Sequence, residues 1–268
     1  MGVSSERRLR LVAACAALIL VGAALTLAGH LAAPSDHTAQ AVGVAPAVVP
    51  PPTAAPSTTT STIPPPQVPV STELATTHGA IATYAQPDGP ENGTVGIWYG
   101  YALTLPVIAD QGDWLQVRLP QRPNQSTAWV RRADVTAGAT PYRIVVGLTA
   151  QRLEVFKSGY AVMNFPVGVG TPRTPTVVGN YFITVHAPAP NAAYGPFVLS
   201  TSAHSDAIQS WEGAGDAIIA IHGPIDSYAD SLIGTGRARV SNGCIRLHDA
   251  DLAQLSVIPI GTPLDIQA

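Results

Sequence analysis

The chain has 268 residues and a net charge of −3, and only 12% of its residues are charged. It contains no Lys/Arg run with interleaved aromatic residues, so nucleic acid is excluded as an expected partner. The 24 glycines and 25 prolines suit an exported protein with a low-complexity linker, and the length allows two modest domains beside it.

The N-terminal part of the sequence is a short basic segment followed by an apolar run. Residues 1–10 contain three arginines, and the uncharged run from Leu11 to Gly29 would span about 28 Å as a helix, close to the thickness of a bilayer core. We therefore expect residues 11–31 to anchor the chain in a membrane, with residues 1–10 in the cytoplasm and the remainder outside. The alternative is a signal peptide that is cleaved on secretion. Cys15 lies in this run and is expected to be a small membrane-embedded hydrophobic residue.

Residues 32–74 are dominated by Pro, Thr and Ala, with runs such as Pro50-Pro51-Pro52 and Thr58-Thr59-Thr60. Because the stretch has almost no large apolar side chains, it cannot bury enough surface to offset the entropy of ordering. The sequence predicts a disordered, partly polyproline linker here.

Residues 75–138 change to short β-like runs separated by turn residues, about ten residues apart, which predicts a small all-β barrel. The predicted strands are Ile81 to Tyr84, Gly96 to Tyr99, Ala102 to Ile108, Trp114 to Leu119 and Thr127 to Arg131. Two segments, Gly112 to Val117 and Ala128 to Val130, resemble bacterial SH3-like modules, and the resemblance implies a contact with cell-wall glycan. Trp98, Trp114 and Trp129 are candidates for stacking on sugars, although the alternation around Trp114 and Trp129 favours an inward, core position for these two.

Residues 142–268 are again predicted to be mainly β, with one late helix. The expected strands are Arg143 to Leu148, Arg152 to Phe156, Tyr160 to Val167, Tyr181 to Val185, Phe197 to Ser200, Ile218 to Ile221 and Leu264 to Ile266. Asp249 is a plausible N-cap of the helix, because Leu252 and Leu255 follow it at helical spacing.

A single cysteine, Cys244, lies outside the apolar N-terminal run, and it has no disulfide partner in the exported part. Cysteine catalysis requires a base, a group that orients the base, and donors for an oxyanion. His222 follows the apolar run from Ala217 to Ile221, where a buried strand would meet its loop, and the carbonyl of Gly223 can approach the imidazole ring.

The residues around the cysteine could supply the remaining groups. The consecutive backbone amides of Asn242, Gly243 and Cys244 could form an anion-binding nest. Arg246 lies two residues after the thiol, on the same face of an extended segment, and could bind a substrate carboxylate in bidentate fashion.

His222-Gly223 followed by the segment from Ser241 to Leu247 resembles the catalytic signature of the YkuD-type L,D-transpeptidases. Three upstream segments agree with that resemblance: Thr171 to Phe182, Leu153 to Phe156, and Tyr194 to Phe197. The resemblance covers residues 142–268 and implies a β-sandwich or barrel catalytic domain that exchanges peptidoglycan stem peptides through a cysteine acyl-enzyme, without a metal or organic cofactor.

Carried over to this chain, the resemblance implies that Cys244 is the nucleophile, His222 the base and the Gly223 carbonyl its orienting group. It further implies that the amides of Asn242, Gly243 and Cys244 form the oxyanion hole. The same comparison assigns substrate contacts to Arg246 and Ser241, and we add Tyr194, which belongs either to a mobile lid or to an ordinary ordered loop. Two features depart from the family pattern: Asn242 stands where many members have histidine, and the segment between His222 and Ser241 is slightly long.

The expected function is therefore a membrane-tethered L,D-transpeptidase of a bacterial envelope that releases terminal D-alanine from a donor stem and is acylated by carbapenems. Hydrolysis of the same thioester would make it an L,D-carboxypeptidase. Two other classes remain open: a non-catalytic cell-wall-binding protein and a cysteine protease that acts on proteins.

The individual residues also have alternative interpretations. Cys244 could be a buried structural thiol, His222 a core histidine, and Arg246 a member of a structural ion pair. A zinc site of Cys244 with His186, His204 and His248 is disfavoured, because no metal-type spacing joins these residues.

Overall fold

The computed structural model describes residues 65–268. The predicted anchor (residues 11–31) and most of the predicted linker (residues 32–74) lie outside the described residues, so both stay predictions. None of the helices within residues 65–268 is long and apolar enough to cross a membrane.

Nineteen strands and two short α-helices make up most of the described chain, which confirms the prediction of a mainly β protein. The strands are β1 (Thr72–Thr76), β2 (Ile81–Tyr84), β3 (Glu91–Val95), β4 (Ile97–Trp98), β5 (Tyr101–Ala102), β6 (Thr104–Gln111), β7 (Trp114–Arg118), β8 (Thr127–Arg131), β9 (Thr136–Thr140), β10 (Tyr142–Gly147), β11 (Arg152–Lys157), β12 (Tyr160–Pro166), β13 (Val169–Gly170), β14 (Gly179–Pro188), β15 (Phe197–His204), β16 (Ile218–His222), β17 (Arg239–Ser241), β18 (Ile245–Arg246) and β19 (Pro263–Gln267). The helices are α1 (Ser227–Leu232) and α2 (Asp249–Gln254).

The first sheet has seven antiparallel strands in the order β3-β2-β8-β7-β6-β1-β9. Leu105, Leu115 and Val117 are fully buried in its core, as expected for inward positions that alternate with polar residues. Trp114 and Trp129 are 6% and 9% exposed and pack with Tyr84 in a separate small cluster. They are buried, as predicted, but on the face of the sheet opposite to Leu115 and Val117 and not in the main core. The SH3-like assignment of this part stays a prediction.

The second sheet has eight strands in the order β12-β11-β10-β19-β14-β15-β16-β18, with parallel pairing only at β10-β19 and β16-β18. Its core contains Ile144, Leu199, Ile221, Ile245 and Leu252. The last strand, β19, is inserted between β10 and β14, so the C-terminal segment joins the two halves of this sheet. Phe182 of β14 is fully buried in the core of the first sheet, and residues 65–268 belong to one compact unit.

The structure adds elements that the sequence did not predict. β1 begins at Thr72, two residues before the predicted end of the linker, and β3, which covers Asn92-Gly93, lies outside the predicted strands. α1 lies in the long segment between His222 and Ser241, so the late helix is not the only one in the described chain. The N-cap of α2 is His248, whereas Asp249, predicted to be the cap, is its first helical residue.

Candidate active site

A pocket of about 370 Å³ opens at the edge of the second sheet, where β16 and β18 meet. The parallel pairing of these strands places His222 opposite Arg246 and Ile221 opposite Ile245, which brings two segments more than twenty residues apart to one wall. The Leu247 amide also donates to the His222 carbonyl at 3.0 Å. The pocket is lined by Tyr194, Val198, Ser205, Ile208, Trp211, Ala217, Ile218, Ile219, Ala220, His222, Ile225, Asn242, Cys244 and Arg246.

Cys244 lies at the end of a tight turn that connects β17 to β18. Gly243 has φ of 118°, a conformation that side-chain-bearing residues rarely adopt. The Ser241 hydroxyl closes the turn, because it donates to the Cys244 carbonyl at 2.5 Å and accepts from the Gly243 amide at 3.1 Å. The sequence Ser-x-Gly-Cys thus fixes the backbone that presents the thiol.

The threonine- and proline-rich turn after β13 supports this cysteine turn from behind. The Thr176 hydroxyl donates to the Gly243 carbonyl at 2.8 Å, and the Thr171 amide donates to the Ser241 carbonyl at 3.0 Å. The Thr174 hydroxyl also donates to the Ser241 carbonyl at 3.2 Å. These bonds explain why the Thr-Pro segment accompanies the cysteine signature: it holds the turn in place.

His222 is the last residue of β16 and is only 3% exposed. Its Nδ1 lies 2.7 Å from the Gly223 carbonyl oxygen, so in the neutral ring Nδ1–H donates there and Nε2 keeps a free lone pair. Burial lowers the pKa of His222 to about 4; the bond to Gly223 opposes this shift, and the charge of Arg246 adds to it. The imidazole is therefore neutral near pH 7 and able to accept a proton.

The Cys244 thiol is partly exposed and faces the same pocket. Burial raises its pKa, while a backbone hydrogen bond from Ala220 and the charge of Arg246 act in the opposite direction. A raised thiol pKa beside a lowered imidazole pKa means that the resting pair is uncharged. A thiol in this state needs a base before it can act as a nucleophile, and the neutral imidazole of His222 has the free lone pair for that role.

Gly223 is packed too closely for any side chain. A Cβ at this position would lie 2.7 Å from the Gly195 amide nitrogen, 2.8 Å from the Tyr194 carbonyl carbon and 2.6 Å from Asp249 Oδ1. The Gly223 amide itself donates to the Tyr194 carbonyl at 2.8 Å. The absence of a side chain lets the Tyr194 segment close over the histidine, whose ring centroid lies 4.8 Å from that of Tyr194.

We expect Gly223→Ala to destabilise the protein by about 1–3 kcal/mol, because backbone atoms would have to move to accept the methyl group. The free energy of unfolding in urea measures this loss. Gly138→Ala is the matched control, since a Cβ there meets nothing within 4 Å. Equal stability of the two variants would contradict the close-packing argument.

Three backbone amides were predicted as oxyanion donors, and the structure leaves two of them free. The Gly243 amide is already bonded to the Ser241 hydroxyl. Among residues 65–268, the amides of Asn242 and Cys244 have no hydrogen-bond acceptor. The prediction for Gly243 is therefore corrected: its role is to shape the turn, and the available donors are the amides on either side of it.

Arg246 projects into the pocket from β18 and is half-buried. Its Nη1 donates to the Pro224 carbonyl at 3.3 Å, and its buried Nε has no hydrogen-bond partner in the described part of the chain. It forms no ion pair with any residue between 65 and 268, so the alternative of a structural ion pair finds no support there. The guanidinium is thus free to bind an anionic group.

Of the other two residues predicted to contact substrate, only Tyr194 lines the pocket. Ser241 is 1% exposed and does not line the pocket, and its hydroxyl is used within the cysteine turn. Asn242 is exposed at the rim. Within residues 65–268, no group of three or more His, Cys, Asp and Glu side chains is placed to hold a metal ion.

One wall of the pocket belongs to the loop between β15 and β16, and a second loop, between β7 and β8, holds that wall in place. Arg122 donates from Nε to Asp216 Oδ1 at 3.0 Å and from Nη2 to the carbonyls of Ser205 and Ile208 at 2.8 and 3.3 Å. Asn124 pairs with the backbone of His204, accepting from its amide at 2.9 Å and donating to its carbonyl at 2.8 Å.

The ring of His204 completes this network. Its Nε2 lies 3.0 Å from the Pro120 carbonyl, and its Nδ1 lies 2.8 Å from Asp216 Oδ2. Sequence reasoning missed the contacts between the two loops, because Pro120, Arg122 and Asn124 lie 80 or more positions from their partners and neither segment has a recognisable motif. The pocket-lining residues Ile208 and Trp211 were missed for the same reason.

Removal of the Arg122 guanidinium should loosen the loop of residues 205–216. We expect Arg122→Gln to speed amide hydrogen exchange there about 10- to 100-fold, because charge-assisted hydrogen bonds contribute about 1.5–3 kcal/mol. Hydrogen exchange measured by mass spectrometry tests this. Arg152→Gln is the control: Arg152 bonds to Asn164 across the pair β11-β12, so its loss should leave the exchange of residues 205–216 unchanged. Unchanged protection of residues 205–216 in Arg122→Gln would contradict the role assigned to Arg122.

Part of the chain is similar to known proteins. Residues 141–266 match the family model of the YkuD L,D-transpeptidase catalytic domain. The chain is similar to putative L,D-transpeptidases YkuD of Bacillus licheniformis and Bacillus subtilis, with 32% and 29% identity over 127 residues, 47% of this chain. The match spans 66% of the length of each relative.

The chain is also similar to a solved L,D-transpeptidase from Mycobacterium tuberculosis H37Rv, with 15% identity, a TM-score of 0.41, and coverage of 72% of this chain and 98% of that one. The matched residues 141–266 include the Ser241 to Leu247 turn, His222 and the Thr-Pro segment that supports the turn. Residues 141–266 of the chain therefore match the YkuD family of L,D-transpeptidase catalytic domains.

Proposed function

We propose that the protein is a peptidoglycan L,D-transpeptidase that cross-links stem peptides through an acyl-enzyme on Cys244. The observation that carries this proposal is the pocket in which a thiol, a neutral and oriented imidazole, two free backbone amides and an unpaired guanidinium meet. The match of residues 141–266 to the YkuD catalytic-domain model supports the reaction class, and the proposed roles of the individual residues follow from their chemistry.

In the first half-reaction, Cys244 Sγ attacks the carbonyl carbon that precedes the terminal D-alanine of a donor tetrapeptide stem. His222 Nε2 takes the thiol proton, and the Nδ1–H bond to Gly223 keeps the ring oriented and in the right tautomer. The amides of Asn242 and Cys244 stabilise the tetrahedral oxyanion. When the C–N bond breaks, the protonated His222 returns the proton to the leaving nitrogen, and D-alanine departs.

In the second half-reaction, a side-chain amine of a neighbouring stem attacks the thioester. The amine loses its proton to His222, the C–S bond breaks, and the thiol is restored. Attack by water at the same step would release a shortened stem instead of a cross-link. Throughout, Arg246 is suited to bind a carboxylate of the donor, because its guanidinium has no acidic partner among the described residues.

Ile208, Trp211 and Ile218 give one side of the pocket an apolar wall, which would reduce its water content once a substrate covers it. A site with reduced water content strengthens the electrostatic contribution of the amide donors. It also favours an amine that binds in the pocket over bulk water as the second nucleophile.

We further propose that the chain works on the outer side of a bacterial membrane, tethered through residues 11–31, and that the first sheet contacts wall glycan. These two proposals rest on the apolar N-terminal run and on the SH3-like pattern, respectively.

Purified disaccharide-tetrapeptide tests the proposed reaction. We expect mass spectrometry of the products to show equimolar release of D-alanine and a cross-linked dimer. A shortened monomer without a dimer would assign the carboxypeptidase reaction. No release of D-alanine from a folded enzyme would overturn the transpeptidase proposal and leave a wall-binding role or proteolysis of other substrates.

A further inference from the structure

A second cavity, of about 320 Å³, lies where the two sheets meet and shares no lining residue with the pocket of Cys244. Strands β1, β6 and β7 of the first sheet and β10, β14 and β19 of the second contribute to its walls. The charged residues that line it are Glu73, Arg118, Arg143 and Asp265. A volume of this size is at the lower end of the range for small-molecule sites, which is about 300–1,000 Å³.

Both carboxylates of this cavity are already paired with an arginine. Asp265 Oδ2 lies 2.6 Å from Arg143 Nη1. Glu73 Oε1 lies 2.9 Å from Nη1 of Arg132, a residue that does not line the cavity. Neither acidic side chain therefore forms an ion pair with the remaining arginine of the cavity.

That remaining arginine is Arg118, on β7. Its side chain has no hydrogen bond or ion pair with any residue between 65 and 268. Burial lowers the pKa of Arg118, and the charge of Arg143 adds to this effect while Asp265 opposes it. A guanidinium nevertheless stays protonated at any working pH, so the cavity holds one charged arginine whose N–H donors have no carboxylate acceptor among the described residues.

Arg143 supplies a further unused donor. Its Nη1 and Nη2 are bonded to Asp265 and to the Thr72 hydroxyl, but its buried Nε has no partner in the described part of the chain. A buried donor without an acceptor costs about 1–3 kcal/mol, and a planar guanidinium offers two parallel N–H bonds to a carboxylate. The Arg118 guanidinium and the Nε–H of Arg143 are thus hydrogen-bond donors in one cavity without an acceptor among the described residues.

We propose that this cavity binds a carboxylate group carried by a ligand of about amino-acid size, with Arg118 as its main contact. The unused N–H donors of Arg118 and Arg143 match the two oxygens of one carboxylate, whereas a phosphate dianion would bring a second negative charge next to Asp265. The inference does not depend on acyl transfer at Cys244, because the two sites share no lining residue.

The test uses the full chain, labelled with ¹⁵N and kept in detergent, with N-acetyl-D-alanine as the probe. We expect the amide signals of Val107 and Asn180, which line the cavity, to shift in a saturable manner at pH 7. The uncharged N-acetyl-D-alaninamide should leave both signals in place. Arg118→Gln should weaken binding of the probe at least about tenfold, since a lost charge-assisted bond of about 1.4 kcal/mol corresponds to that factor.

Two further variants separate a binding role from a structural one. Arg118→Lys keeps the charge but not the planar two-point geometry, so the probe should bind several-fold more weakly to a protein of unchanged folding. Arg237→Gln removes an exposed arginine outside the cavity and should bind the probe like the wild type.

Three results would overturn the proposal. These are an unchanged affinity in Arg118→Gln, shifts confined to the pocket residues Ile219 and Asn242, and equal shifts with inorganic phosphate at the same concentration. Carbapenem acylation of Cys244, measured in the same samples, reports separately on the proposed function.

Discussion

Replacement of Cys244 by serine is expected to lower the rate of D-alanine release from a tetrapeptide donor by at least about a thousandfold. A serine hydroxyl is far less acidic than a thiol, and the base beside it is weak, because the pKa of His222 is only about 4. The fold should survive, since the turn is held by Ser241, Gly243 and Thr176 and not by the sulfur atom.

The matched control is Cys15→Ser, which removes the other cysteine of the chain. We expect this variant to release D-alanine at the wild-type rate. Activity of Cys244→Ser within about tenfold of the wild type would show that Cys244 is not the nucleophile.

Replacement of His222 by glutamine is expected to slow acylation by about 10²- to 10⁴-fold, the usual contribution of a positioned general base. Glutamine keeps a polar side chain of similar size near the Gly223 carbonyl but accepts no proton. His186→Gln is the control, because His186 is exposed, packs on Phe197 and does not line the pocket. Single-turnover acylation by a carbapenem, followed by mass spectrometry, gives the acylation rate constants of His222→Gln and of His186→Gln for comparison with the wild type.

The pH dependence of the same reaction is a second readout of His222. Because the depressed pKa keeps the imidazole neutral down to about pH 4, the wild-type rate constant should show no loss between pH 7.5 and 5 and should fall only as pH drops through about 4. The raised thiol pKa predicts that the rate does not depend on a pre-formed thiolate in this range. A loss of activity centred near pH 6.5 would show that His222 titrates as an ordinary histidine and would contradict the neutral-pair mechanism.

Much of the candidate site could be predicted from sequence, because the chemistry is local. His222 follows an apolar run that had to be a buried strand, and the Ser-Asn-Gly-Cys segment had to be a glycine-containing turn. The structure adds the physical link between them: parallel pairing of β16 with β18 sets His222 beside the cysteine turn. For β2 and β8, the predicted first and last residues are the same as those in the structure.

What could not be predicted depends on long-range contacts or weak patterns. β3 and β9 contain Gly, Ala, Thr and Asn in mostly exposed positions, so neither shows an apolar alternation. The side-chain bond that takes the Gly243 amide away from the oxyanion site depends on the rotamer of Ser241. The support of the pocket wall by Arg122 depends on where two distant loops meet, which no local pattern records.

The contacts of His222 also bear on Asn242, which stands where many YkuD-type members have histidine. Because His222 is the side chain in contact with the Gly223 carbonyl, no second imidazole is needed next to the cysteine. In the proposed mechanism Asn242 contributes its backbone amide, which any residue except proline supplies, and its side chain lies at the exposed rim. A change at this position should therefore affect which acceptor binds more than whether acylation occurs.

The central claim is that Cys244 forms a covalent acyl-enzyme, and mapping of a carbapenem adduct tests it most directly. Ring opening adds the whole antibiotic to the thiol without loss of atoms, so the intact mass should rise by the mass of one carbapenem molecule. Trypsin cuts after Arg239 and Arg246, and we expect the adduct in the peptide Val240–Arg246, on the sulfur of Cys244. An unmodified intact mass for the folded protein, or an adduct on any other residue, would contradict the account.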